Sequence, residues 1–316
     1  MTIRLFFRIC ALAIAQMATP NFVFSQAQPE NHHDKLLALV IGNSDYNEGH
    51  LSGPDNDSKD MATALQGIGF KISNSGKITN LHRNEMISVT EDFMDKVDKD
   101  TVAIVYYSGH GVEDVDNHKN YLVPIDASFD SGGDWTKRLV SLDEIIRRLG
   151  QREARTKLII LDACRNMPPA LRYKSFGDSG GLAPVEVGPG TRIVYAAAPT
   201  KTALSALPGQ RNSVFTAALL QAIKEKPASF DDLIANAASI TINNTGHRQT
   251  PWATGDVIFS FKFSPQTATN PFSQPANGRL PRSVEVSRPS KSEPCKEVSE
   301  QIIENGVSTW TKVCAQ

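Results

Sequence analysis

The sequence is short of cysteine, of clustered positive charge and of long apolar runs, and each shortage removes a class of function. Four cysteines in 316 residues, Cys10, Cys164, Cys295 and Cys314, are too few for a disulfide scaffold. No Cys-x-x-Cys or His-Glu-x-x-His spacing occurs, so the seven histidines, His32-His33 included, match no zinc pattern and no metal site is expected. Formal net charge is −1 and basic residues gather only into doublets such as Arg147-Arg148, which leaves no field to hold nucleic acid or an anionic membrane. Gly42 lies outside any Gly-x-Gly-x-x-Gly fingerprint, which argues against nucleotide binding there. No internal repeat is present.

What is there begins with a removable leader. Arg4 and Arg8 precede the apolar stretch Ile9 to Ala18, and Ser25-Gln26-Ala27 offers small residues where a signal peptidase would cut. The stretch is shorter than the roughly 20 residues a spanning helix needs, so residues 1–27 read as a signal peptide rather than a stable anchor. The expectation is export, to a periplasm or beyond, with the mature chain starting near Gln28 and a short linker over 28–34. In an oxidising compartment Cys295 and Cys314 could close a local disulfide across a hairpin or a helical turn, which leaves Cys164 unpaired. A lone thiol of that kind is either buried and inert or kept for its reactivity.

Residues 35–263 alternate between strand and helix patterns. Lys35 to Ile41 is a continuous apolar run of the kind a strand covered on both faces shows. Asp55, Asn56 and Asp57 precede a helical pattern through Met61, Leu65 and Ile68, and Phe70 to Ser73 can be a short strand. Met86, Val89, Phe93 and Val97 repeat at helical spacing ahead of the strand Thr101 to Tyr107. Ser141-Leu-Asp-Glu144 reads as a capping box, Lys157 to Leu161 as a fourth strand and Thr191 to Ala198 as a fifth. Asn212 caps a helix through Ile223, another helix is expected from Asp231 to about Ile240, and Val257 to Phe263 closes as a sixth strand. Alternating units of this kind predict an α/β/α sandwich around a mainly parallel six-stranded sheet, with function beyond the carboxyl ends of its strands. Residues 264–294 form a Pro/Ser-rich linker, and 295–316 a C-terminal appendage too short for a core of its own.

Two of these runs end in reactive groups. Ser108-Gly-His-Gly111 follows one strand and Asp162-Ala-Cys164 follows another, fifty-four residues on from histidine to cysteine. Either alone is weak evidence. Together at two strand ends they are specific, because a thiol needs a neighbouring base to become a nucleophile at neutral pH. Tyr106, Tyr107 and Tyr195 read as strand packing.

The set Leu39-Val-Ile-Gly-Asn-Ser-Asp-Tyr46, Asn56-Asp57, Tyr107-Ser-Gly-His-Gly111, Tyr121-Leu-Val-Pro-Ile-Asp126 and Leu161-Asp-Ala-Cys-Arg-Asn166 resembles the caspase-like cysteine peptidases, and among them the bacterial metacaspase-like (orthocaspase) branch. The resemblance implies a dyad of His110 and Cys164, with the Gly111 and Cys164 N–H groups as oxyanion hole. It also implies a pocket of Asp57, Ser108 and Asp162 that takes Arg or Lys at P1. Animal caspases carry glutamine where Asp162 stands and bind an acidic P1, and a pair of carboxylates inverts that preference. On the residues alone, Asp57 could merely cap a helix and Asp162 merely order the cysteine loop. The chain departs from the common metacaspase pattern at Arg165-Asn166-Met167, where His-Ser-Gly is usual. Arg172 and Lys174 lie in the long loop after the cysteine, where a basic-specific peptidase could cut itself. No cofactor is expected to be required; some metacaspases depend on calcium, yet no acidic ligand set maps here. The partner is then a peptide or protein with a basic P1 residue. The alternatives are a catalytically silent module of the same fold that binds a peptide or partner, and a different Cys-His acyl-transfer enzyme.

Overall fold

A computed structural model describes residues 35–47, 49–114, 116–129, 133–164, 182–199, 201, 203–207, 209–257, 297–304 and 307–314. The chain divides into two units, Met1–Pro265 and Gln266–Gln316. The leader over 1–27, the segment 28–34, the linker 264–294, Arg172, Lys174 and Cys295 lie outside the described residues.

The first unit starts with β1 (Lys35–Gly42), buried from Leu37 onward, and the small hairpin β2 (Asp45–Tyr46) and β3 (Gly49–His50). Helix α1 (Pro54–Gly67) opens on proline, whose missing N–H costs nothing in a first turn. Strand β4 (Lys71–Ile72), α2 (Arg83–Met94) and β5 (Thr101–Asp114) follow. After β6 (Lys119–Leu122), a 3-10 turn at Trp135–Arg138 leads to β7 (Val140–Ser141) and α3 (Leu142–Gly150). Strand β8 (Thr156–Cys164), β9 (Thr191–Tyr195), α4 (Val214–Lys224), α5 (Phe230–Asn244) and β10 (Trp252–Gly255) complete the unit.

The central sheet runs β10-β9-β8-β5-β1-β4, parallel throughout except for β10, which pairs antiparallel with β9. Strand residues alternate between two cores. Val40, Ile104, Tyr106, Ile160 and Val194 pack with Met61, Leu65, Phe215, Leu219 and Phe230 from α1, α4 and α5. Leu39, Val105, Tyr107, Ile159 and Ile193 pack with Met86, Phe93, Ile145 and Leu149 from α2 and α3. Burial on both faces is why the strands read as unbroken apolar runs rather than as alternation.

Three expectations need correction. The edge strand of the described sheet is Trp252–Gly255, and Val257, where the expected sixth strand starts, lies past its end; 258–263 fall outside the described residues. The edge strand's four residues are all half-buried, so no apolar run marks it. Second, β5 does not stop at Tyr107. It continues to Asp114 because its partner changes: it is parallel to β8 through His110 and antiparallel to β6 from Gly111 on. Third, only half of the capping box forms, since Ser141 Oγ accepts from the Glu144 N–H while the Glu144 carboxylate turns to Arg147.

In the second unit, β11 (Glu297–Glu304) and β12 (Val307–Cys314) form an antiparallel hairpin with Glu297 opposite Cys314.

Candidate active site

His110 and Cys164 are ladder partners. Strands β5 and β8 run parallel in the register Ser108 with Asp162, Gly109 with Ala163 and His110 with Cys164. Neighbouring strands lie about 4.7–4.9 Å apart, so the sheet itself brings the two backbones together at the carboxyl ends of its central strands.

His110 is held on both sides by tyrosine. The Tyr46 hydroxyl accepts the His110 N–H at 2.8 Å, and the Tyr107 hydroxyl donates toward the His110 carbonyl at 2.7 Å, with the Val123 carbonyl at 3.2 Å. The Tyr46 ring also lies 4.5 Å from the imidazole at a 43° tilt. Between these hydroxyls sits Gly109, at φ 153°, where a Cβ would come within 2.6 Å of Tyr46 Oη and 2.7 Å of Tyr107 Oη. Only glycine fits there. Asn43 ties the same strand end to β1: its N–H donates to the Ser108 carbonyl at 2.9 Å and its side chain to the Val123 carbonyl at 3.0 Å.

The imidazole is 8% exposed and its Nδ1 is buried with no hydrogen-bond partner among the described residues. Burial pushes its pKa down to about 4, so it is neutral around pH 7 and able to accept a proton. Beside it, Gly111 faces Leu122 across β6, and Val123 N donates to the His110 carbonyl at 3.0 Å. That bond makes Gly111 and Leu122 a non-hydrogen-bonded pair, so the Gly111 N–H points away from β6.

Asp57, Ser108 and Asp162 also converge, and two residues not anticipated from the sequence join them. Asp57 comes from the first turn of α1, which can press against β1 because Gly42 has no side chain: a Cβ there would meet the Pro54 carbonyl at 2.1 Å. The Asp57 carboxyl caps nothing in its own helix, which corrects that reading. It accepts from Ser108 Oγ at 3.0 Å and from the N–H of Ser213, the N-cap of α4, at 3.0 Å. Ser213 Oγ in turn donates to Asp162 Oδ2, which also receives Thr216 Oγ1 at 2.6 Å, and Tyr106 Oη meets Thr216 Oγ1 at 2.6 Å. Asp162 Oδ1 is buried with no partner among the described residues.

Both carboxyls are almost wholly buried, at 0% and 2% exposure. Burial first, and the neighbouring Asp162 second, push Asp57 up to about 8; burial also raises Asp162. Among the described residues, the donors that reach them are hydroxyls, amides and backbone N–H groups, with no cation among them. Ser213 and Thr216 carried no sequence signal, since their hydroxyls arrive about fifty residues downstream on a helix whose start reads as an ordinary cap. Among the described residues no group of three or more His, Cys, Asp or Glu is placed to hold a metal ion.

The caspase domain profile of peptidase family C14 matches residues 35–261, from the first residue of β1 to beyond β10. The chain belongs to this family. Two relatives of the caspase domain are the mucosa-associated lymphoid tissue lymphoma translocation protein 1 of Homo sapiens and its Mus musculus homolog, each 28% identical over 130 residues. The matched stretch covers 41% of this chain and 15% of each relative, so the chain spans only a small part of their length. The parallel sheet with helices on both faces is the architecture of this caspase domain, and its family is one of cysteine peptidases.

Proposed function

We propose that the caspase domain is an endopeptidase of the bacterial metacaspase-like branch that cleaves after Arg or Lys through a His110–Cys164 dyad. The observation that carries the specificity is the buried pair Asp57 and Asp162, two carboxyls that, among the described residues, have no bonded counter-cation and one unpartnered oxygen. A guanidinium or ammonium would supply the missing donors and the missing charge, whereas an aspartate would bring a further like charge. Ser108 lines the same pocket.

The chemistry follows from the register. His110, neutral in the resting site, takes the Cys164 thiol proton; the sulfur attacks the scissile carbonyl, and the C=O electron pair moves onto oxygen. The Gly111 and Cys164 N–H groups hold that oxyanion, an arrangement worth about 2.7–4 kcal/mol per donor where measured. Collapse breaks the C–N bond as His110 protonates the leaving amine. Water, deprotonated by the same imidazole, then attacks the thioester and releases the acid.

Residues 1–27 would direct the protein out of the cytoplasm, and Arg172 and Lys174 would be its own cleavage sites. The test is mature protein from Gln28, mildly reduced, against fluorogenic peptides ending in Arg, Lys or Asp, with calcium added or chelated. Turnover of Arg and Lys peptides that is absent in Cys164→Ala supports the reading, as does a wild-type chain found in two pieces where the variant stays whole. Folded protein with a free Cys164 thiol and no turnover makes it the silent peptide-binding module instead.

A further inference from the structure

Resting on the assignment of Asp57 and Asp162 as the P1 pocket, we infer that the empty pocket holds one proton between its two carboxyls, and that a basic P1 side chain expels it. Substrate binding and proton release would then be a single event.

The hydrogen bonds make the case. Ser213 bridges the two acids, giving its N–H to Asp57 and its hydroxyl to Asp162. Two ionised carboxylates joined through one residue, both sealed from water, repel strongly in a medium of low dielectric. Among the described residues, the groups that hydrogen-bond to them are all neutral. On β5 this is Ser108; the Tyr106 phenol, which burial and the two acids hold protonated, and His110, further along, are uncharged too. On α4 they are Ser213 and Thr216. On α1, Asp55 pairs with Lys59, and Asp60 takes both Arg211, at 2.7 and 3.1 Å, and Asn212, at 3.0 Å. Arg211 is therefore already engaged, and its side chain is 57% exposed, so water screens what field it casts on Asp57. The pair reaches neutrality halfway by keeping a proton, and a guanidinium replaces that proton at the unpartnered Asp162 Oδ1. A value of about 8 for Asp57 agrees with this.

The consequence is a pH-gated pocket. Below about pH 8 affinity for a basic P1 falls roughly tenfold for each pH unit, and above it affinity is flat. Acid would close the enzyme through substrate binding, with the dyad untouched.

The full mature chain carrying Cys164→Ala is titrated calorimetrically with an acetylated tetrapeptide ending in arginine amide, in phosphate and in Tris at about pH 7, where the difference in heat counts protons. Close to one proton should leave per peptide bound, and Kd should weaken roughly tenfold per pH unit from about pH 8 to about pH 6. The same peptide with citrulline for arginine should release none. Adding Asp57→Asn should abolish the release while leaving a weaker arginine site on Asp162. Binding that is tight, arginine-dependent and independent of buffer and pH overturns the shared proton and leaves the basic pocket standing. No binding of the arginine peptide at any pH up to about 9 overturns the basic pocket itself, and the inference with it. Should the added Asp57→Asn unfold the protein, the pH series on Cys164→Ala alone decides.

Discussion

The Tyr46 hydroxyl accepts the amide N–H of His110 at 2.8 Å while its ring lies 4.5 Å from the imidazole, so one side chain fixes both the backbone and the ring of the same residue. Tyr46→Phe keeps the ring and orphans a buried N–H, at a cost of about 1–3 kcal/mol. The expected kinetic result is a kcat reduced roughly 10- to 100-fold, because small misplacement of a reacting group is expensive, with KM for arginine peptides unchanged. Steady-state kinetics and the alkylation rate of Cys164 check it, and an altered KM with an intact kcat would sink it.

Gly109→Ala should be worse. Its Cβ would collide with both the Tyr46 and the Tyr107 hydroxyls, which are held by the backbone they position. Overpacking of this kind costs about 1–3 kcal/mol, and turnover should fall below that of Tyr46→Phe. Thermal unfolding beside kinetics would measure both.

Replacing either buried acid would separate binding from stability. Asp57→Asn or Asp162→Asn should lower kcat/KM for arginine peptides by about 2–5 kcal/mol, the usual loss when one partner of a buried charge contact is removed. Folded stability above about pH 8 should rise or stay level, since each change removes one of two buried like charges. A variant that loses activity together with several kcal/mol of stability would make the acids structural.

The pH dependence of stability has an unusual sign. Asp57, raised to about 8, binds a proton in the folded state that the unfolded chain has released, so it erodes stability as pH rises from its ordinary value of 3.8 through about 8. His110, lowered to about 4, does the opposite and erodes stability as pH falls from 6.5 toward 4. The two oppose each other below 6.5, while between 6.5 and about 8 the carboxyl pair, in which burial raises Asp162 as well, is no longer offset by His110. The melting temperature should therefore decline over that upper window, and Asp57→Asn should flatten the decline.

The central strands were legible because their apolar runs are long and both faces are covered: Lys35–Gly42 and Thr156–Cys164 begin within a residue of where the runs begin. The histidine and the cysteine were legible as a pair beyond two apolar runs, although β5 continues past His110 to Asp114. The extension of β5 past Tyr107 was not, because nothing local to Ser108-Gly-His-Gly111 announces a change of partner from β8 to β6. Edge strand Trp252–Gly255 escaped for want of a hydrophobic run. The buried acid pair was half legible: Asp57 and Asp162 stood out as charges beside the motifs, but Ser213 and Thr216 reach them from a helix far along the chain. Side-chain contacts between elements so distant leave no periodic trace.

The adjacency of His110 and Cys164 exists only in the β5–β8 register, between strands separated by a long stretch of chain. Pairing over that distance pays its loop entropy before any contact rewards it. A nascent or partly folded chain has the imidazole and the thiol but no reason for them to meet, so the pair comes into being with the middle of the sheet. If the proposed dyad is active, its hydrolytic power would arrive last and would spare the synthesising cell an active peptidase on every unfinished copy.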